Sequence, residues 1–306
     1  MFRVADYAQY QLTLSYTMRT QSSVAERQIE IASGKRAQQY SSISTDASEL
    51  VNIERSVART EQFNRNIDQA LTRLGIMESS VAIMVERATE VLAIMSSAIS
   101  GENINDVPLQ EFSATFLAEA ESLLNTSHED RYLFAGSQTD SPAVDLTDVA
   151  YTPQAGLPGV FTADFDYYQG DTLGLTVRTD ETFETTYGIT ADEPAFEEML
   201  RALSYMDYAG ANTDVAVLTQ AYTMMKSAVD GLSDIRGRIG ASSKVLESAS
   251  SGHDDYLTYA TNLVSTLEDV DVAEATTRLA QDEVQLQGSY LAISRISDLS
   301  LLNYLR

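Results

Sequence analysis

The sequence predicts a mainly α fold: an elongated antiparallel coiled-coil or helical rod formed by both chain ends, with a small β-rich inserted domain. Three observations carry this. From Ala47 to Ser100, every seventh residue from Ile53 gives Ile53, Thr60, Ile67, Leu74, Val81, Ala88 and Met95. The position three residues on gives Phe63, Ala70, Met77, Met84, Val91 and Ala98, after a polar Ser56. Apolar residues at these two heptad positions, with charges between them, mark a long helix that needs partner helices along one seam. A second stripe runs Leu218, Met225, Leu232, Ile239, Leu246, His253, Ala260, Leu267 and matches the first in length. Between the two, from Ser137 to Thr190, the composition shifts, and four of the five prolines fall within or beside that segment (Pro142, Pro153, Pro158, Pro194).

Folding the chain back at the insertion pairs rod with rod and terminus with terminus. The expected domains are therefore 1–45 with 268–306 (terminal helices), 46–136 with 195–267 (rod core) and 137–194 (β-rich insertion). Ile53, Ile67, Leu74 and Val81 should meet Leu218, Met225, Leu232, Ile239 and Leu246 in the rod core. Tyr222, Val229 and Arg236, four residues after the second stripe, should form its companion row.

Taken in order, residues 1 to 36 read as a helix with apolar residues irregularly spaced among Gln, Thr and Ser, a pattern that gives little stability alone. Gly34 is its stop signal. Asp46 with Glu49 reads as a capping box opening the first rod helix, and Pro108 as the start of the next, with Phe112, Phe116, Ala120 and Leu123 on one face. Asp130 to Gly136 is too short and aromatic for a helix and reads as a strand or hairpin edge. Alternation over Leu173–Thr179 and Thr182–Tyr187 predicts two short strands, and helix resumes at Pro194 through Tyr208. Gly231, Gly237, Gly240 and Gly252 weaken the second rod helix by up to about 1 kcal/mol each, so it depends on packing, the glycines allowing close helix approach or a bend. Asp271 with Glu274 reads as a capping box before a terminal helix whose apolar residues crowd toward Leu305.

Charge and composition exclude several functions. The net charge is −25, and from Ser141 to Glu198 there are twelve acids against one base, Arg178. Nucleic-acid binding needs a concentrated basic surface, so no nucleic acid is expected as a partner. Cysteine is absent, which removes disulfides and thiolate metal sites. No apolar run reaches the ~20 residues of a membrane span, and the N-terminal stretch lacks the apolar core of a cleaved export signal.

Catalytic chemistry finds no constellation. His253 sits in the second stripe and reads as a hydrogen-bonded core or groove histidine, and His128 as a helix C-terminal residue favourable to the dipole. Asp164, Asp166 and Asp171 lack the loop spacing of a calcium site and read as a solvated acidic face. Glu197-Glu198 at a helix start is explained by the macrodipole rather than by paired-carboxylate catalysis. Met77 and Met84 at heptad spacing are core. No catalytic, metal or cofactor-binding residue is assigned, no cofactor is expected, and the chain is not read as an enzyme.

The ordered pieces resemble the bacterial flagellin family. Ile31-Ala32-Ser33-Gly34-Lys35-Arg36 resembles its N-terminal L-S-S-G-K/L-R stretch. Leu232, Arg236, Gly240-Ala241 and Leu246 resemble its second core helix, and Leu267-Glu268-Asp269-Val270-Asp271-Val272-Ala273-Glu274 with Leu299 to Leu305 its C-terminal segment. Tyr132 to Asp140, Tyr168-Gln169-Gly170-Asp171 and Tyr187 to Asp192 are similar to the members found at the hook–filament junction. The resemblance implies a structural subunit exported through the flagellar type III apparatus on an uncleaved signal and resident in the extracellular flagellum. It would connect a hook-associated protein on the hook side with flagellin on the filament side, self-associate in a ring or helical layer, and use an export chaperone. A short flagellin that forms the filament itself is the alternative. The terminal helices would fold on assembly, with Leu12, Leu14, Tyr16 and Val24 packing against Leu279, Leu286, Tyr290, Ile293, Leu299, Leu302 and Leu305, within one chain and between neighbours.

Overall fold

The computed structural model describes residues 2–37, 47–101 and 104–302, with side chains described from Ala8 to Arg295. The expected box residue Asp46, and Leu305, lie outside the described residues; Leu299 and Leu302 lie outside the described side chains. Among the described residues the fold is mainly α, as the heptad stripes predict. The helices are α1 (Phe2–Ser33), α2 (Ala47–Ser100), α3 (Leu109–Leu124), α4 (Pro194–Asn212), α5 (Val215–Glu268) and α6 (Val272–Leu302). The strands are β1 (Ser127–His128), β2 (Arg131–Tyr132), β3 (Leu175–Arg178) and β4 (Glu184–Tyr187). No described helix is long and apolar enough to cross a membrane.

The chain divides into two compact units: Met1–Arg59 with Tyr256–Arg306, and Thr60–Asp255. In the second unit α2 and α5 run antiparallel. Asn64 donates to Asp254 at 2.8 Å, and further along Arg236 pairs with Glu78 at 2.6 Å. Ile67, Ala70, Leu74, Met77, Val81, Met84, Ala88, Val91, Met95 and Ala98 are all buried, so both heptad rows of α2 face the core. In α5, Leu218, Met225, Leu232, Ile239 and Leu246 are buried, but the companion row is different from the one four residues on. It lies three residues on, at Ala221, Ala228 and Ile235, whereas Arg236 is exposed. Alternating steps of three and four keep a straight helix facing one seam, and Ala221 and Ala228 are small enough for close approach.

Helix α4 packs on α3 and α5. It starts as predicted, with Pro194 in its first turn. A Cβ on Gly231 would fall 2.8 Å from that of Ala195, so this glycine does permit close approach; Gly237, Gly240 and Gly252 have nothing within 4 Å. Of the predicted α3 face, Phe116 and Ala120 are buried and Leu123 is half-buried, whereas Phe112 is exposed; Leu109, Ser113 and Leu124 complete the buried row.

Both predicted β features form antiparallel hairpins. The register is Leu175↔Tyr187 through Arg178↔Glu184 in one, and Ser127↔Tyr132 with His128↔Arg131 in the other. Glu129 and Asp130 hold positive φ (52° and 59°), the two-residue turn whose twist matches paired strands. His128 is therefore a strand residue, because α3 has already ended at Leu124. Ala143, Val144, Tyr167, Val177, Tyr187 and Ile189 from the segment between the helices join the same buried cluster as α2, α4 and α5.

Candidate assembly interface

The other unit brings the chain ends together. Ser23 Oγ donates to Asp282 at 2.7 Å, and Lys35 reaches Glu268 at 2.6 Å and Asp269 at 3.1 Å. As α1 numbers rise, the partner numbers fall, so α1 and α6 pair antiparallel.

Gly34 ends α1 with φ +72° and lets the chain turn. The next residues form an antiparallel bridge with the α5–α6 link. Arg36 N–H donates to the Glu268 carbonyl at 2.7 Å, and Val270 N–H to the Gly34 carbonyl at 2.9 Å. The pair of Glu268 and Asp269 raises the Lys35 pKa, with Glu268 the larger cause. The Ser265 hydroxyl and then Lys35 lower that of Asp269. Asp271 caps α6 by accepting from Ala273 N–H (2.9 Å) and Glu274 N–H (3.1 Å), while Glu274 pairs with Arg278 rather than closing a box. Ser33-Gly34-Lys35-Arg36 and Leu267 to Asp271, two of the stretches that carry the family resemblance, are thus one clasp.

Between α1 and α6 the predicted residues divide into two groups. Leu14, Val24, Leu279, Leu286 and Ile293 are half-buried, on the faces that α1 and α6 turn toward cover. Leu12, Tyr16 and Tyr290 are exposed. The inner face is markedly polar: Thr17 is only 3 % exposed, and Thr13, Thr20, Ser23, Arg27, Asp282 and Ser289 are half-buried. Met18 and Ile29 on α1, and Val284 (69 %) and Leu291 (64 %) on α6, are large apolar residues left in solvent. The last two were legible as apolar residues one heptad apart, off the main stripe.

The other candidates are structural. His253 is half-buried, with its Nε2 2.8 Å from the Thr179 carbonyl and its ring stacked on Phe63 at 6.0 Å, the hydrogen-bonded histidine expected of that position. Asp164 and Asp171 are not merely solvated: Asp164 accepts from Thr152 N–H at 2.7 Å, and Asp171 from Ser137 N–H at 2.8 Å and Leu173 N–H at 3.0 Å. The Ser137 hydroxyl, then its amide, hold the Asp171 pKa below its usual value. Glu197 is buried at 2 % exposure, so the macrodipole is not what explains it. It forms a two-pronged ion pair with Arg201 (2.7 and 3.1 Å) and accepts from Asp164 N–H at 3.0 Å. Burial pulls the Arg201 pKa down, but the bonds to Glu197 carry it above its ordinary value. Among the described residues no group of three or more His, Cys, Asp or Glu could hold a metal ion.

Residues 222–305 match the family described as the bacterial flagellin C-terminal helical region. Solved structures that share the fold include three flagellar ones. Bacillus cereus FlgL aligns with TM-score 0.55 and 18 % identity, over 70 % of this chain and 99 % of its own. A protein from Vibrio parahaemolyticus assigned as flagellar hook-associated gives TM-score 0.59 and 15 % identity, over 72 % and 97 %. The flagellar hook-associated protein 3 of Legionella pneumophila gives 0.54 and 13 %, over 71 % and 98 %. This chain has the fold of the flagellar hook-associated proteins. No curated protein sequence matches it. The expected resemblance to the flagellin family and the expected fold class both stand.

Proposed function

We propose that this chain is a non-enzymatic structural subunit of the bacterial flagellum that joins the hook to the filament. It would contact a hook-associated protein on the hook side and flagellin on the filament side, and pack against copies of itself in a ring or helical layer. It would reach the cell exterior through the flagellar export apparatus, held by a chaperone beforehand. The observation that carries this reading is the near-complete coverage of three hook-associated structures by one continuous fold. The exposed Leu12, Tyr16, Met18, Ile29, Val284 and Leu291 support it, since large apolar side chains left in solvent are of no use to a lone monomer but suit a polymer. 

Large apolar side chains on the outer faces of both helices gain by burial only when a neighbouring subunit covers them.

The test is sequential assembly on isolated hooks. Purified chain is added first, flagellin second, and the product is imaged by electron cryomicroscopy. The chain should add as one finite layer at the hook tip, and flagellin should extend only from hooks that carry it. Micrometre-long growth from this chain alone would instead make it a short flagellin. Failure to bind hooks in either order would overturn both.

A further inference from the structure

We propose that the segment from Thr152 to Asp164 is a lid, which opens as one piece and uncovers the face of α4 that carries Glu197, Arg201 and Tyr205. Its two ends are pinched together. Asp164 accepts from Thr152 N–H at 2.7 Å and from Asp166 N–H at 3.1 Å, and the rings of Tyr151 and Tyr167, just outside the segment, meet edge to face at 5.4 Å. Such a neck defines a compact surface loop. Within it the backbone bonds are short-range turns: Ala155 N–H donates to the Thr152 carbonyl, Leu157 N–H to that of Gln154, and Gly159 and Val160 N–H to that of Gly156. No residue from Thr152 to Asp166 is buried, whereas Tyr167 beyond the neck is fully enclosed. A segment with local bonds and little buried apolar area belongs to the part of a fold that opens first.

Contacts to α4 hold the lid closed. Gln154 donates to the Ser204 carbonyl at 2.9 Å and to Asp207 at 3.1 Å, Asp164 N–H donates to Glu197 at 3.0 Å, and the Phe161 ring lies against Tyr205 at 5.6 Å. Leu157 is half-buried at the edge of the core, but Phe161 is still 40 % exposed and Val160 53 %, so closure buries little apolar surface. It also works against two polar groups. The Tyr205 hydroxyl beside Phe161 and the Tyr151 hydroxyl at the neck are shut off from water with no hydrogen-bond partner. Arg201 and Ser204 approach them without the geometry of a bond. An unpaired buried hydroxyl counts against the closed state, and opening returns it to water. The ion pair of Glu197 and Arg201 lies within α4 itself, so the face beneath the lid keeps its main polar contact when the lid leaves.

The inference concerns the isolated chain and stands or falls apart from the assembly role. The chain has no cysteine, so one introduced thiol reads opening without background. Ser204→Cys places it at a residue 4 % exposed that lines a groove with Tyr151 and Gln154. Ser113→Cys, at a residue 0 % exposed in α3, reports opening of the core. With a chromogenic disulfide reagent, Ser204→Cys should react faster than Ser113→Cys by about tenfold or more. Gln154→Ala should speed the reaction of Ser204→Cys by about threefold or more and leave Ser113→Cys unchanged. Tyr205→Phe, which removes one unpaired hydroxyl, should slow Ser204→Cys by about threefold. In the unsubstituted chain the Asp164 amide should exchange about tenfold faster than the Ala191 amide, which donates to the Phe134 carbonyl at 2.9 Å outside the lid. Equal reaction of the two cysteine variants, equal exchange of the two amides, or rates indifferent to both Gln154→Ala and Tyr205→Phe would each overturn the proposal.

Discussion

Replacing Val284 and Leu291 together by glutamate should abolish assembly while leaving the monomer intact. The two residues are 69 % and 64 % exposed and lie one heptad apart on α6. Fully burying a Val or Leu side chain contributes about 1.5–3 kcal/mol. Roughly two-thirds of each residue is still available to a neighbour, so covering it contributes about 1–2 kcal/mol per residue and about 2–4 kcal/mol for the pair. At ~1.4 kcal/mol per tenfold, losing that contribution weakens each subunit contact by roughly 30- to 1,000-fold. Glutamate adds the cost of covering an unpaired charge, so this range is a lower bound. Within the monomer, exposed positions change stability by only about 0.5 kcal/mol, and glutamate is a good helix former. Co-sedimentation with hooks measures the first effect and circular dichroism with thermal melting the second. Val149→Glu, at a residue 95 % exposed in the other unit, adds the same kind of charge elsewhere and should assemble normally. Undiminished co-sedimentation of the double variant would refute the outer-face argument, and so would equal loss of helix in the monomer.

Two further substitutions probe the unit built on α2 to α5. Glu197→Ala leaves the Arg201 charge buried without its partner and should cost about 3–5 kcal/mol, lowering the melting temperature by roughly 6–20 °C for a unit of this size. Adding Arg201→Met should recover most of that loss, and a double variant as unstable as the sum of the singles would show that the two side chains are not coupled. Asp171→Asn should be less stable than the parent at neutral pH, with the difference closing in acid. The Asp171 pKa is depressed below 3.8 in the folded state, so its contribution is complete above that value and is lost as the pH falls through the lower folded one. Chemical unfolding between pH 7 and pH 2 reads this gap, and a gap constant across the range would dismiss the contribution of the Asp171 carboxylate's bonds to Ser137 and Leu173.

The heptad rows made the long helices legible because periodicity over many turns averages out local exceptions. Local exceptions are where periodicity misleads. Arg236 fell in the companion row of α5 by counting four, but the row that packs is the one three residues on, and Arg236 instead reaches Glu78 from outside. Hydrophobicity alone places Phe112 on the α3 face, while Ser113 takes the buried position, donating to the Gln110 carbonyl at 3.0 Å. Glu197 looked like a dipole residue because its partner Arg201 is one turn further on, and burial, which turns that spacing into a buried ion pair, is not written in the local sequence. At the chain ends the pattern showed which residues are apolar but not which face they occupy. That depends on the clasp of Lys35 with Glu268 and Asp269, charges separated by more than two hundred residues of sequence.

The same heptad grammar thus produces two outcomes in one chain, and the difference lies in how many neighbours each helix has. In α2, Ile67, Leu74, Met77 and Val81 are fully buried, because α5 and the elements between them cover the row. In α6, Leu279, Leu286 and Ile293 occupy equivalent positions but remain half-buried, since one helix cannot enclose another. Its partner α1 presents threonines, Ser23 and Arg27 to that seam, and leaves Leu12, Tyr16, Met18 and Ile29 exposed. A pair stabilised mainly for itself would carry the opposite arrangement, with its largest apolar residues inside. The seam is too polar to hold the pair firmly, while the outer faces carry the apolar area that remains to be covered. On the proposed role neighbouring subunits would cover that area, and the chain ends would gain stability from assembly in proportion to what they lack alone.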